Sequence, residues 1–311
     1  MIPLDGVTIQ EVGPRDGLQI EQRWVPTGEK IALVNAIADS GIKRIEVSSF
    51  VSPKAIPSLK DASEVFAGIK RRPNTIYSAL VPNTKGAERA IDAKADELNF
   101  VMSASETHNF ANMGMTREQS FLELGSVVAI ANGASINVNA TIATAFGCPF
   151  EGPQLTSKIT DTIKRYFDLG ATSITLADTT GMANPVQVTT LVELSLALVS
   201  PNDLTLHFHN TRGLGLINVD AAFRSGARRF DSSLGGLGGC PFAPGASGNV
   251  CTEDLVNFFH EIDVPTGINL RELLRLSAEL PKLVGHETPG QLAKAGLASD
   301  LHPQPNIKRS A

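Results

Sequence analysis

The chain has no excess of positive charge: across 311 residues, 27 Lys and Arg stand against 32 Asp and Glu, a net charge of −5, with no basic cluster. A phosphate backbone would find nothing to neutralise it, so nucleic acid is excluded as a partner. Long apolar runs are missing too. No segment approaches the about eighteen uncharged apolar residues that crossing a bilayer takes, and MIPLDGVTIQEVGPRDG lacks the basic-then-apolar pattern of a leader. No membrane association is expected, and the expected location is the cytoplasm. Cysteine is scarce and odd in number. Cys148, Cys240 and Cys251 cannot build a disulfide framework, so any special role for them rests on thiol chemistry. No Ser/Gly/Pro-rich linker or low-complexity tract divides the sequence. A dinucleotide-type glycine fingerprint is also missing: the first apolar run leads into Gly13-Pro14-Arg15-Asp16-Gly17, whose spacing does not fit one.

What is present is a repeating alternation of short β-branched runs and longer helical stretches. Strands are predicted over Val7–Val12, Lys43–Ser48, Thr75–Leu80, Glu97–Met102, Ser135–Ile142, Ser173–Asp178, Leu204–His209 and Arg228–Ser233. Amphipathic helices are predicted over Glu29–Ser40, Lys85–Ala95, Arg117–Asn132, Thr156–Gly170, Pro185–Val199 and Leu214–Gly226. Eight strands with helix-sized intervals fit a closed (β/α)8 barrel, the TIM-barrel arrangement, better than a doubly wound sheet. Residues 1–311 are read as one catalytic domain, the barrel over about 7–268 and extra C-terminal helices and a tail over about 269–311.

In such a barrel, chemistry gathers where the strands end at their C-terminal side. Arg15 and Asp16 follow strand one, Glu46, Ser48 and Ser49 close strand two, and Ser105 follows strand four. Asp178 and Thr179 end strand six, and His207 and His209 end strand seven. Residues two apart on a strand face the same side, so both imidazoles can meet one ligand. Two imidazoles, the Asp16 carboxylate and the Asn249 amide oxygen make a mixed N/O set suited to a divalent metal, Mg²⁺ or Mn²⁺ first, with Zn²⁺ or Co²⁺ as alternatives. Glu46 and Asp178 are expected to accept hydrogen bonds from the histidines and set their tautomers, or else to pair with Arg15. After strand eight, LGGLGGCPFAPGASGN holds six glycines and reads as a lid, with Cys240 able to move a proton. Cys148 and Cys251 are read as packing.

Together these residues resemble the hydroxymethylglutaryl-CoA lyase family, within the metal-dependent barrel lyases and Claisen-type synthases that include isopropylmalate and homocitrate synthases. The likeness is carried by Glu11 to Gln19 (EVGPRDGLQ), Ser49 to Lys54 (SFVSPK), Gly147 to Gly152 (GCPFEG) and Gly235 to Asp254, and it runs from about Val7 to Leu270. It implies Asp16, His207, His209 and Asn249 as metal ligands, Arg15 facing the thioester oxygen, Cys240 as the lid acid/base and His207 as a proton carrier. Gln19, Ser49, Thr179, Ser105 and Asn112 are expected near the substrate. The implied reaction is retro-Claisen cleavage of 3-hydroxy-3-methylglutaryl-CoA to acetyl-CoA and acetoacetate, as in leucine degradation, with no organic cofactor beyond the CoA of the substrate; a homodimer is possible. Departures stand at Ile20, Gln22, Asn210 and Arg212, where the family usually has other residues, and they bear on which acyl group is cleaved. Citramalyl-CoA cleavage, a 4-hydroxy-2-oxo-acid aldolase, a Claisen synthase and a non-catalytic CoA-ester- or metal-binding barrel are the alternatives.

Overall fold

A computed structural model describes residues 6–239 and 248–301. Parallel strands β1 (Thr8–Glu11), β2 (Arg44–Ser49), β3 (Ile76–Val81), β4 (Glu97–Ser103), β5 (Asn137–Ala143), β6 (Ser173–Asp178), β7 (Leu204–Phe208) and β8 (Arg229–Ser232) close into a barrel in chain order, β8 pairing with β1. Each lies within two residues of its predicted bounds. The helices are α1 (Thr27–Asp39), α2 (Ala62–Gly68), α3 (Thr84–Asp92), α4 (Glu106–Met113), α5 (Arg117–Gly133), α6 (Thr156–Asp168), α7 (Pro185–Leu196), α8 (Gly215–Arg224), α9 (Thr252–Glu261), α10 (Leu270–Val284) and α11 (Leu292–Ala295). No helix among the described residues is long and apolar enough to cross a membrane. Helices α2 and α4 are short and escape the periodicity reading; α4 is fixed instead by its cap, the Ser105 hydroxyl accepting from the His108 amide at 2.9 Å.

The strands alternate because their two faces meet different surroundings. Ile45, Val47, Leu98, Phe100, Val138, Ile174, Leu176, Leu206 and Phe230 are buried in the apolar layer beneath the helices. The other face fills the barrel with polar groups, where branched apolar residues are more usual. Arg44 pairs with Glu97 and donates to Gln10 Oε1 at 3.1 Å. One layer up, Glu46, Asn99, Asn139, Thr141 and Thr175 form a continuous hydrogen-bonded row. Buried polar groups are tolerable only when partnered, and this row is satisfied from strand to strand.

Two buried carboxylates hold the root of the loop after β8. Glu11 Oε1 accepts from the amides of Gly13 (2.7 Å) and Leu234 (2.8 Å), and Glu11 Oε2 accepts from the Thr252 hydroxyl at 2.6 Å. Glu253 Oε2 accepts from the next amide, Gly235, at 3.0 Å, and Glu253 Oε1 accepts from Ser277. Gly235 and Gly236 take φ of 67° and 70°, the left-handed conformation that lets consecutive amides turn toward these acids.

Burial pushes the Glu11 carboxyl up to about 7 against the donors that favour its anion. The unfolded chain releases this proton near pH 4.5 and the folded chain keeps it to about pH 7, so stability falls as pH rises across that window. The loss attributable to Glu11 is about 3 kcal/mol. Urea unfolding of Glu11→Gln between pH 5 and pH 8 is expected to show a shallower pH slope than the wild type; an unchanged slope would assign the effect elsewhere.

Candidate metal centre

The first ligand turn begins where β1 ends. Val12 O accepts from the amides of Asp16 (2.7 Å) and Gly17 (3.3 Å), which winds Gly13–Gly17 into one wide turn. A Cβ at Gly13 would stand 2.5 Å from Glu11 Oε1, and one at Gly17 would stand 3.0 Å from Leu237 Cβ and Ser233 Oγ. The turn can sit this deep only with glycine at both ends. It carries Arg15 and Asp16 into the mouth of the barrel, where Arg15 Nη1 donates to Asp16 Oδ1 at 2.6 Å and Arg15 Nε donates to Glu46 Oε2.

His207 lies on β7 and His209 one residue beyond it, both turned to the same side as period two requires. Their Nε2 atoms are 3.1 Å apart, and His209 Nε2 is 3.9 Å from Asp16 Oδ2. One donor atom from each of Asp16, His207 and His209 falls within 4.8 Å of the others. His207 Nδ1 lies 3.2 Å from Asp231 Oδ2; with a proton on Nδ1, the imidazole is left with its Nε2 lone pair facing His209. Asn249 arrives through a backbone bridge to His209. Its Nδ2 donates to Asp16 Oδ2 (2.7 Å) and Leu237 O (3.0 Å), while its Oδ1 is buried without a hydrogen-bond partner. Converging nitrogen lone pairs, an anionic carboxylate and an orphaned amide oxygen are the donor set a divalent cation fits.

The charges agree with this. Burial disfavours the Asp16 anion, yet Arg15, both imidazoles and the Asn249 amide hold its carboxyl down at about 2. Burial, then the neighbouring His207, pushes His209 down to about 4, which keeps it neutral and able to ligate. Burial works against a charged His207 as well, but the hydrogen bond and charge of Asp231 raise it. Burial pushes the Asp178 carboxyl up to about 6.

The structure brings Arg15, Asp16, Glu46, His207, His209 and Asn249 together, and it differs from the sequence reading on the outer partners. Glu46 makes no hydrogen bond to either histidine. One of its oxygens takes Arg15 and the other takes Asn99 Nδ2 at 2.7 Å, so the ion-pair alternative is the one observed. Asp178 Oδ1 accepts from the Met182 amide at 2.7 Å, and its Oδ2 is buried and unpartnered. The residue that meets His207 Nδ1 is Asp231, which sequence reasoning passed over because it sits inside β8 and not at its end. The available signal was alternation along Arg229-Phe230-Asp231, which turns Asp231 inward.

Ser49 is buried and accepts from the Val51 amide at 3.3 Å, and Thr179 Oγ1 accepts from the Thr144 amide at 2.9 Å. The Gln19 carbonyl accepts from the Ser58 hydroxyl at 2.7 Å. Ser105 is fully buried, its hydroxyl engaged by the α4 cap and by the Cys148 thiol at 2.9 Å, and Asn112 is exposed on α4. Cys148 and Cys251 are buried, and Cys240 lies outside the described residues.

A family model described as HMGL-like matches residues 6–280. Hydroxymethylglutaryl-CoA lyase YngG of Bacillus subtilis (strain 168) is 42% identical over 285 residues, spanning 92% of this chain and 95% of its own length. The human mitochondrial hydroxymethylglutaryl-CoA lyase is 38% identical over 93% of this chain and 89% of its own. An HMG-CoA lyase from Acinetobacter baumannii, solved in complex with coenzyme A and 3-methylmalate, superposes with a TM-score of 0.95 at 60% identity, covering 97% of this chain and 99% of that one. Likeness of this extent, over the whole barrel and its C-terminal helices, places the chain in the HMGL-like family.

Proposed function

We propose that this chain is a carbon–carbon lyase that cleaves 3-hydroxy-3-methylglutaryl-CoA to acetyl-CoA and acetoacetate. The observation that carries the proposal is the convergence of two imidazole Nε2 atoms, the Asp16 carboxylate and the unpartnered Asn249 Oδ1 beside the half-buried Arg15. This site stands in a chain 60% identical to an HMG-CoA lyase over nearly its full length. Asp16, His207, His209 and Asn249 would hold the cation, Mg²⁺ or Mn²⁺ before Zn²⁺ or Co²⁺. Held there, a divalent cation supplies Lewis acidity to the substrate hydroxyl, making its proton easier to remove.

The chain's own groups do the rest. The unpartnered Asp178 Oδ2 takes the hydroxyl proton, since His207 would have both ring nitrogens engaged, Nδ1 by Asp231 and Nε2 by the cation. The alkoxide collapses to the acetoacetate ketone as the C–C bond breaks, and the electron pair passes into the thioester, giving the acetyl-CoA enolate. Arg15 is held by Glu46 and Asp16 with Nη2 left over, and stabilises the oxygen on which charge develops. Cys240 delivers a proton to the enolate carbon from the glycine-rich loop, and Glu46 keeps Arg15 aimed. Gln19, Ser49 and Thr179 line the approach of the acyl group, while Ser105 caps α4, the helix that presents Asn112 to the CoA arm.

A second acyl group is favoured by one observation: the Acinetobacter enzyme holds 3-methylmalate beside coenzyme A. The same bond cleavage on a 3-methylmalyl thioester yields propionyl-CoA and glyoxylate. In this chain Ile20, 44% exposed three residues beyond the ligand turn, is the apolar side chain we assign to the methyl on the carbon next to the thioester.

Incubating the metal-loaded protein with 3-hydroxy-3-methylglutaryl-CoA, 3-methylmalyl-CoA and citramalyl-CoA is expected to release an acyl-CoA product from the first, and EDTA is expected to abolish release. Turnover undiminished by thorough metal removal would falsify the mechanism. His207→Ala and His209→Ala are expected to lose bound Mn²⁺ by elemental analysis, and Asp231→Ala to weaken it about 10- to 100-fold in titration calorimetry. Full stoichiometry in a histidine variant would remove that residue from the ligand set. Cys240→Ser should retain metal and lose about 100-fold or more in kcat; metal loss there would mark the thiol as a ligand.

A further inference from the structure

The row of amides that fills the barrel ends on the carboxylate that holds Arg15. Glu46 is fully buried, and each of its oxygens has one donor, Arg15 Nε on Oε2 and Asn99 Nδ2 on Oε1. Asn99 cannot turn its amide over. Its Oδ1 accepts from Asn139 Nδ2 at 3.0 Å and from the Thr141 hydroxyl at 2.8 Å, so its NH₂ must face Glu46. Asn139 is pinned in turn, its Oδ1 accepting from Ser173 at 3.0 Å and its Nδ2 reaching Thr175 at 2.9 Å. The orientation of one amide is thus settled by donors on β5 and β6 and passed through β4 to β2. On the far side of Glu46, Arg15 has Nε on Glu46 and Nη1 on Asp16, which among the described residues leaves Nη2 as the nitrogen for a ligand.

We infer that Asn99 is a positioning residue: by fixing the rotation of the Glu46 carboxylate it fixes the direction in which Arg15 presents Nη2 to the developing enolate oxygen. This rests on the assignment of Arg15 proposed above. Among the described residues Asn99 hydrogen-bonds Glu46, Asn139 and Thr141 and none of the proposed metal ligands. Its effect is on aim, and aim matters most in the transition state, when charge gathers on the oxygen. A substitution here therefore lowers kcat and leaves KM and metal content nearly as they were.

Asn99→Asp is isosteric, keeps the acceptor for Asn139 and Thr141, and removes the donor to Glu46. Asn99→Ser is too short to reach Glu46 and adds no charge, so it serves as a second variant with less burden on folding. Asn139→Ser is the control. It breaks the row one step further on, while Thr141 still holds the Asn99 amide in place.

Both Asn99 variants are expected to lose about 100-fold in kcat, the scale of an ångström of misplacement. KM and Mn²⁺ stoichiometry should stay within about twofold, whereas Asn139→Ser should lower Tm comparably and keep kcat within about threefold. A substrate-independent readout accompanies this: in protein labelled with ¹⁵N-arginine, the Arg15 Nε–H resonance should shift in both Asn99 variants and stay in place in Asn139→Ser. Wild-type kcat in Asn99→Asp and Asn99→Ser overturns the inference. So does a kcat loss in Asn139→Ser equal to theirs at equal Tm loss, or an unmoved Arg15 resonance. A wild-type protein that cleaves none of the thioesters while the resonance responds as described sinks the proposed reaction and leaves the positioning role intact.

Discussion

The candidate site depends on a guanidinium–carboxylate pair, the half-buried Arg15 with the fully buried Glu46. Burial pushes the Glu46 carboxyl up, and Arg15 and Asn99 oppose that shift without reversing it. A buried ion pair in a barrel of this kind is a poor way to gain stability, because desolvating both charges costs about what their attraction returns. Its effect here is geometric. Arg15 lies between Glu46 and Asp16, and Asp16 lies between Arg15 and Asn249. One cation thereby fixes a carboxylate on each side of it, one at the barrel's inner row and the other at the ligand cluster.

From that pair outward, the site is supported from below and from the side. Below it, small polar residues on β4, β5 and β6 fill the space that branched aliphatics would otherwise fill, and they leave few unsatisfied atoms in the row they form. To the side, Glu11 takes one amide of the ligand turn and one amide of the loop after β8 on a single oxygen, so these two segments cannot shift independently. Asn249 repeats the connection nearer the centre, with one amide nitrogen shared between Asp16 and Leu237 O. Rigid elements with satisfied outer partners are what keep a catalytic constellation within tolerance.

Much of this is legible in the sequence because barrel strands alternate between an apolar outer face and an inner face. Runs such as Arg44-Ile45-Glu46-Val47 and Asn137-Val138-Asn139-Ala140-Thr141 announce both the strand and its inner residues. His207 and His209 could be placed together from a spacing of two, and Asp16 from its position after β1. Register was not legible. The pairing of His207 with Asp231, and the layer at which Glu46 meets Asn99, depend on how far each strand is staggered against the next, which no single run encodes. The hydrogen bonds expected from Glu46 and Asp178 to the histidines failed on that point: Glu46 takes its other expected partner, Arg15, together with Asn99, while Asp178 takes the Met182 amide and keeps Oδ2 unpartnered. Helix α4 went unseen because eight residues are too few for a period to declare itself.

The proposed metal ligands come from the two ends of the chain's circuit. Asp16 follows β1, His207 lies on β7 and His209 just past its end, Asn249 follows β8, and the β1–β8 pairing is the seam where the ring of strands shuts. No ligand pocket exists in a chain that has made only its first six strands, since every donor but one is still to be synthesised. An ion gripped by all four would span that seam like a clasp. The closed barrel alone offers it a complete set of donors, so part of its binding free energy would bear on closure itself. Ring-opening fluctuations at β1–β8 and ion release would then be one event.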